Sequence, residues 1–168
     1  MKLKAIIFDV DGTLAETEEL HRIAFNKAFK KWQLAWHWDT TIYTQLLKVS
    51  GGKERMNYYL NLFPNKNKFL SQKDIGLIHQ EKTKFYSKFL FKNKLQLRSG
   101  VASVIKEARQ RNIKLAIATA TSLKNVETLV KFIWNAQVND IFDVVVTGDE
   151  ISNNKPCSEV YLLALKKL

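Results

Sequence analysis

The stretch Leu3-Lys4-Ala5-Ile6-Ile7-Phe8-Asp9-Val10-Asp11-Gly12-Thr13-Leu14 limits the possible folds more than any other part of this chain. Ala5 to Phe8 is apolar without alternation and rich in branched residues, which suits a short strand covered on both faces, as in a parallel sheet with helices on either side. Such a strand is expected mid-sheet. Residues two apart on an extended backbone point the same way, so Asp9 and Asp11 would leave the strand with converging side chains, while Gly12 permits a sharp turn. In open α/β sheets ligands bind at that end. Two crowded carboxylates do not share protons equally, so one can act as a nucleophile and its neighbour as an acid, with a divalent cation holding them. Asp-Gly alone is a common turn signal, in which the carboxylates would merely cap backbone N–H groups.

After the turn the periodicity changes. Leu20, Ile23, Ala24, Phe25, Phe29 and Trp32 recur at helical spacing behind an acidic first turn, which predicts a helix over about 17 to 34. A second helix is expected from Asp39 as N-cap, stopping before Gly51-Gly52, a third over about 53 to 62, and a long fourth from Ser71-Gln72-Lys73-Asp74. Trp32, Trp36 and Trp38 are read as packing residues of this helical segment. From Leu97 onward helices alternate with short apolar strands: a helix on Val101, Val104, Ile105 and Ala108, strand Lys114 to Thr119, helix 122 to 134, strand Phe142 to Thr147, and a helix from about Ser158. Strand and helix alternating at these lengths mean a parallel sheet with crossovers. The expected fold is therefore α/β, a Rossmann-like core of residues 1–15 and 93–168 with three parallel strands, plus an inserted four-helix cap of residues 16–92.

Composition narrows the class. A hydrophobic content of 46% in 168 residues allows a real core; no long uncharged apolar run or signal peptide is visible, so no membrane span is expected. The single cysteine, Cys157, offers no disulfide framework and fits a reducing compartment; it is read as a packing residue. The net charge of +11 would attract nucleic acid, but the lysines are scattered and no RNA- or DNA-binding pattern accompanies them. A nucleic-acid partner is not expected, and the chain is expected to be a monomer. Such a field would steer a small anionic substrate.

Two later motifs support the acidic pair. Thr119, in Ala118-Thr119-Ala120-Thr121-Ser122, ends a strand as Asp9 does, so its hydroxyl and the Ala120 N–H could bind phosphoryl oxygens; helix capping is the alternative. Lys155, in Lys155-Pro156, lies beyond the third strand, where an ammonium could neutralise charge on a nucleophile and a phosphoryl group.

Phe8-Asp9-Val10-Asp11-Gly12-Thr13-Leu14, the strand ending in Thr119, and Lys155-Pro156 together resemble the motifs of the haloacid dehalogenase superfamily of phosphotransferases. Thr13-Leu14-Ala15-Glu16-Thr17-Glu18-Glu19-Leu20-His21, Ser50-Gly51-Gly52-Lys53-Glu54-Arg55, and His79 followed by Lys82-Thr83 look like the subgroup containing β-phosphoglucomutase and the xylulose-1,5-bisphosphate phosphatases that accompany Rubisco. The resemblance implies a Mg²⁺-dependent sugar-phosphate phosphatase acting on a pentulose bisphosphate such as xylulose-1,5-bisphosphate, in the cytoplasm or, for a plastid-encoded chain, in the plastid stroma. Asp9 would be the nucleophile and Asp11 the acid and base, both would serve the metal, and Thr119, Ala120 and Lys155 would hold the phosphoryl group. It further implies that Glu16, His21, Gly51, Gly52, Lys53, Arg55 and Lys82 face the substrate, the cations gripping a second phosphate. Singly, Glu16 and His21 also read as helix capping and solvated face, Lys82 as exposed beside an apolar stripe, and Gly51-Gly52 as a helix stop.

The family's fourth motif, a further strand ending in carboxylates that complete the Mg²⁺ shell, does not follow the Lys155-Pro156 helix. The expectation is a C-terminally truncated chain with weak or absent activity and β-edge Ala5 to Phe8 exposed. Alternatives are a sugar phosphomutase and an inactive remnant that binds phosphate ligands.

Overall fold

The computed structural model describes residues 2–64, 70–92 and 94–168. The element order is β1(Ala5–Phe8), α1(Glu18–Lys31), α2(Thr40–Leu46), α3(Gly52–Leu62), α4(Gln72–Leu90), α5(Val101–Gln110), β2(Lys114–Ala118), α6(Leu123–Trp134), α7(Val138–Ile141), β3(Val144–Val146), α8(Glu159–Lys167). Two compact units form: Met1–Thr17 with Lys94–Leu168, and Glu18–Asn93. The junction expected at 92/93 touches residue 93, which lies outside the described residues.

The first unit is an α/β layer structure with a three-stranded parallel sheet in the order β1-β2-β3. The edge position expected for Ala5 to Phe8 is observed, in place of the mid-sheet position that the apolar run alone suggested: among the described residues β1 is an outer strand, and β2 is central. Both crossovers add strands on the same side, so Leu115 to Ala118 are fully buried while Ala5 to Phe8 stay half-buried. Phe8 stands beside Ile117 and Ala118 beside Val146, so the register brings the ends of all three strands level. Small residues let α8 approach the sheet, where Ala118, Val146, Val160 and Ala164 form a buried cluster.

The third strand is shorter than the apolar run suggested. Val138–Ile141 winds into a helical turn whose caps are reciprocal between Gln137 and Asp140, and Phe142 closes it by donating to the Val138 carbonyl. Asp143 then turns its carboxylate onto the Leu115 N–H at 2.8 Å and Lys114 Nζ at 2.9 Å. Those two donors, the backbone one foremost, hold its carboxyl below the usual range. Cys157, expected inside, is exposed, because it lies in the turn before α8 rather than on that helix's inner face.

In the second unit the local signals decide the ends of the helices. Asp39 accepts from the Ile42 N–H at 2.7 Å, and Ser71 and Asp74 form a reciprocal capping box. Helix α1 stops at Lys31, short of the expected 34, because Gln33 takes a left-handed φ of 55°. Phe25, Phe29, Trp36, Trp38, Tyr43, Met56, Tyr59, Ile75 and Ile78 make one buried cluster, with Trp32 packed against it. The tryptophans are thus core.

Candidate active site

The turn after β1 is fixed by its own backbone. Gly12 has φ +70°, its N–H donates to the Ala15 carbonyl at 2.9 Å, and Leu14 N–H returns to the Val10 carbonyl at 2.9 Å. A left-handed residue is required there, and glycine alone takes it without strain. The turn holds the two carboxylates in different company. Asp9 Oδ1 accepts from the Val10 N–H at 2.8 Å and pairs with Lys155 Nζ at 3.0 Å. Asp11 Oδ1 accepts from the hydroxyl of Thr17, a fully buried residue, at 2.5 Å.

Lys155 reaches Asp9 from the far side of the sheet. Its ammonium also donates to the Ala118 carbonyl at 3.0 Å and lies 4.9 Å from the centre of the Tyr161 ring. The loop that carries it is held by Glu159, which accepts from the Ser152 and Asn153 N–H groups at 2.8 Å each. Those donors keep the Glu159 carboxyl below its ordinary value. Glu159 therefore anchors this loop, and the Lys155-Pro156 peptide is cis.

Thr119 directly follows β2, 1% exposed, with its N–H donating to the Val146 carbonyl at 3.1 Å. Its Oγ1 accepts from the Thr121 N–H at 3.2 Å, so its own proton remains available for an acceptor. Ala120 follows at the mouth of the loop, half-buried. Gly148, after β3, packs so tightly that a Cβ there would stand 2.3 Å from the Ala120 carbonyl oxygen. Asp9, Asp11, Thr119, Ala120 and Lys155 are thus gathered on the carboxyl side of one sheet. The remaining candidate of this unit, Glu16, is exposed and held by Arg98, which also donates to the Gly12 carbonyl at 2.6 Å.

The candidates of the helical unit divide differently. Lys53 is exposed. Arg55, 9% exposed, donates to the Leu46 carbonyl at 3.2 Å, the Val49 carbonyl at 3.3 Å and the Tyr43 hydroxyl at 2.9 Å. Lys82, read as exposed, is 3% exposed: its Nζ lies 2.6 Å from His21 Nδ1 and 4.8 Å from the centre of the Phe25 ring. His21 is buried too, stacked on Tyr86 at 4.2 Å, rather than on a solvated face. Gly51, with φ +93°, begins α3 instead of merely stopping α2, and a Cβ on Gly52 would meet His79 Nε2 at 2.5 Å. Burial foremost, then the charges of Lys82, Lys53, His21 and Arg55, push the His79 imidazole down to about 3.

Sequence reasoning missed Thr17, Arg98, Asn125 and Gly148. Thr17 and Asn125 sit among polar residues at helix starts, where capping explains them as well; Gly148 directly after an apolar strand was a usable signal.

Asp9 and Asp11 offer hard oxygen donors two residues apart. Among the described residues no group of three His, Cys, Asp or Glu side chains forms a cage. Asp149 and Glu150 are spent on the Leu123 N–H and on Lys167. This donor set fits Mg²⁺, which keeps waters and phosphate oxygens in its shell and takes one or two carboxylates from the protein.

A family model for haloacid dehalogenase-like hydrolases matches residues 6–168, essentially the whole chain and every residue of this constellation. The chain is a haloacid dehalogenase-like hydrolase. This hydrolase is 42% identical to protein CbbY of Cereibacter sphaeroides over 166 residues, 99% of this chain and 71% of that protein. It superposes on the crystal structure of CbbY from Rhodobacter sphaeroides in complex with phosphate with a TM-score of 0.92 at 42% identity, over 99% of this chain and 72% of the other. A mutant of that protein in complex with xylulose-(1,5)bisphosphate matches with the same TM-score at 41% identity, over the same shares of both chains. Among the described residues of the hydrolase no helix is long and apolar enough to cross a membrane.

Proposed function

We propose that this hydrolase removes a phosphoryl group from a small sugar phosphate, a pentulose bisphosphate such as xylulose-1,5-bisphosphate, through an aspartyl-phosphate on Asp9. The observation that carries the reading is the contact of Lys155 Nζ with Asp9 Oδ1 at 3.0 Å, at the sheet end that also bears Asp11 and Thr119. The likeness to CbbY, solved with phosphate and with xylulose-(1,5)bisphosphate, supports the choice of substrate.

A carboxylate oxygen of Asp9 attacks phosphorus, and the bond to the sugar oxygen breaks. Asp11, protonated for this step, gives its proton to that oxygen, so the sugar leaves as an alcohol. Asp11 as carboxylate then takes a proton from water, whose oxygen attacks the acyl phosphate; inorganic phosphate leaves and Asp9 is regenerated. The Lys155 ammonium offsets negative charge that gathers between Asp9 and the phosphoryl oxygens, while the Thr119 hydroxyl and Ala120 N–H donate to those oxygens. The carboxylate of Asp9 and the backbone carbonyl of Asp11 would hold Mg²⁺, which supplies further charge neutralisation at the phosphoryl group.

Glu16 is assigned to the sugar hydroxyls. Lys53, the exposed cation among the helical candidates, is assigned to a phosphate that is not transferred. His21, Arg55 and Lys82 serve by holding their helices, and Gly51 and Gly52 by starting α3 beside His79.

Release of inorganic phosphate from xylulose-1,5-bisphosphate with Mg²⁺ tests the reading. Turnover is expected in the wild type and lost in Asp9→Asn, with a metal-fluoride phosphoryl mimic retained only by the wild type. Equal phosphate release by the two proteins would remove Asp9 from the mechanism.

A further inference from the structure

Five buried side-chain polar atoms lack a partner among the described residues, and four of them, on Ser122, Asn125, Thr147 and Asn154, lie in the segments that follow β2 and β3. Buried polar atoms are nearly always satisfied, so each of these atoms asks for a reason other than packing. Asn125 is the most informative of the four. It stands in the first turn of α6, 2% exposed. Its Nδ2 donates to Thr121 Oγ1 at 2.9 Å, while its Oδ1 has no partner.

Thr121 is pinned at three atoms. Its Oγ1 accepts from Asn125, its carbonyl accepts from the Gly148 N–H at 3.0 Å, and its N–H donates to Thr119 Oγ1 at 3.2 Å. That last bond decides what the Thr119 hydroxyl can do. A hydroxyl has one proton and two acceptor sites, so once the Thr121 N–H occupies an acceptor site, the proton is left to donate. Phosphoryl oxygens only accept. Ala120 lies between the two threonines, so the bond from Thr121 N–H to Thr119 Oγ1 spans its residue.

We propose that Asn125 is a positioning residue for phosphoryl transfer: through Thr121 it orients the Thr119 hydroxyl and the Ala120 N–H towards the phosphoryl oxygens. The inference rests on the phosphatase reading above. It extends the site by a residue that touches neither substrate nor metal and that acts from a helix, where its rotamer is locked by burial. Aliphatic residues of similar size would fill the same space but would let Thr121 turn, so the role is one of direction and not of volume.

The test uses Asn125→Ala, Thr121→Val and the double variant, with two readouts besides melting temperature. Amide exchange at Thr121 and Gly148, followed by NMR, reports the loop itself; inhibition by inorganic phosphate reports the pocket. Each single variant is expected to speed exchange at Thr121 about tenfold and to weaken phosphate about tenfold. The double variant is expected to be no worse than either single, because both remove one shared interaction. Exchange and phosphate inhibition within twofold of wild type in either single variant would overturn the proposal, and so would multiplied losses in the double. A fall in melting temperature without a change in phosphate inhibition would also overturn it, since a packing role alone produces that. If phosphate does not bind even to wild type while exchange responds as expected, the phosphatase reading fails and the control of Thr121 by Asn125 stands.

Discussion

Replacing Gly148 by alanine places one methyl group where the structure has no room for it. The added Cβ would lie 2.3 Å from the Ala120 carbonyl oxygen and 2.9 Å from its carbon, against the 3.4 Å at which ordinary contact begins. The loops after β2 and β3 must therefore part by about 1 Å. Both obstacles are backbone atoms, so no rotamer change relieves them. A shift of that size stretches the Gly148 N–H bond to the Thr121 carbonyl, now 3.0 Å, beyond hydrogen-bond range. Losing that bond costs about 1 kcal/mol, and forcing a methyl group into a packed site costs about 1–3 kcal/mol. The sum, about 2–4 kcal/mol, corresponds to a fall in Tm of roughly 4–16 °C. Ala120 moves with the loop, and misplacing a phosphoryl donor by about 1 Å lowers kcat/KM by about a hundredfold. Thermal unfolding and steady-state phosphate release measure both effects. Gly76→Ala is the matched control: its Cβ meets nothing within 4 Å inside α4, so helix stability should rise by about 0.5–1 kcal/mol. Opposite signs at the two glycines are the expected result. A Gly148→Ala protein with Tm within 1 °C of wild type and unchanged kcat/KM would refute the packing argument.

Asp11→Asn keeps an acceptor for the Thr17 hydroxyl but cannot exchange a proton, so kcat should fall by about 10²–10⁴ with little change in Tm; an unaltered rate excludes Asp11 as acid and base. Turnover in ¹⁸O-water should place the label in inorganic phosphate, whereas a mutase would return unlabelled sugar bisphosphate. The unfolded chain protonates His79 below its ordinary 6.5, but the folded unit does so only near 3. Stability must then fall as pH is lowered through that interval, by at most about 1.4 kcal/mol per pH unit, and remain unaffected by this group above it. Denaturant titrations from pH 7 to 4 should show the slope in wild type and lose it in His79→Gln; parallel slopes in both proteins would assign the acid sensitivity to other groups.

Features that depend on neighbouring residues in the chain were legible in advance. The apolar strand before Asp9, the N-cap at Asp39 and the capping pair Ser71 and Asp74 each follow from a few adjacent side chains, and all occur as read. Features that depend on partners distant in sequence were not. Nothing near Lys82 announces that its ammonium would be buried against His21, 61 residues earlier, since lysines are almost never enclosed unless paired. Arg55 hid its role for the same reason: its bonds close on α2 and the turn after it. The short α7 went unread because Val138 to Ile141 is a single turn with two polar residues, too short to show a helical period, and only the caps at Gln137 and Asp140 mark it. The phosphate-side residues Thr119 and Lys155 could be proposed because strand ends are predictable. The devices that hold them, Glu159, Asn125 and Gly148, required the coordinates of three loops at once.

The chain leaves the α/β unit after Thr17 and re-enters it at Lys94. Within that unit the two ends are already joined, Ala15 bridging antiparallel to Leu97 and the Arg98 N–H donating to the Leu14 carbonyl at 2.8 Å. The ends of the helical insertion are therefore tied together by the host, and closing a loop of any length across them adds only a slowly growing entropic cost. Such a junction tolerates exchange: inserts of different size or sequence can be spliced between the same two residues without disturbing the sheet. A single phosphoryl-transfer scaffold can in this way acquire new substrate preferences by swapping the spliced module, and this chain supplies the natural cut points for building such chimaeras.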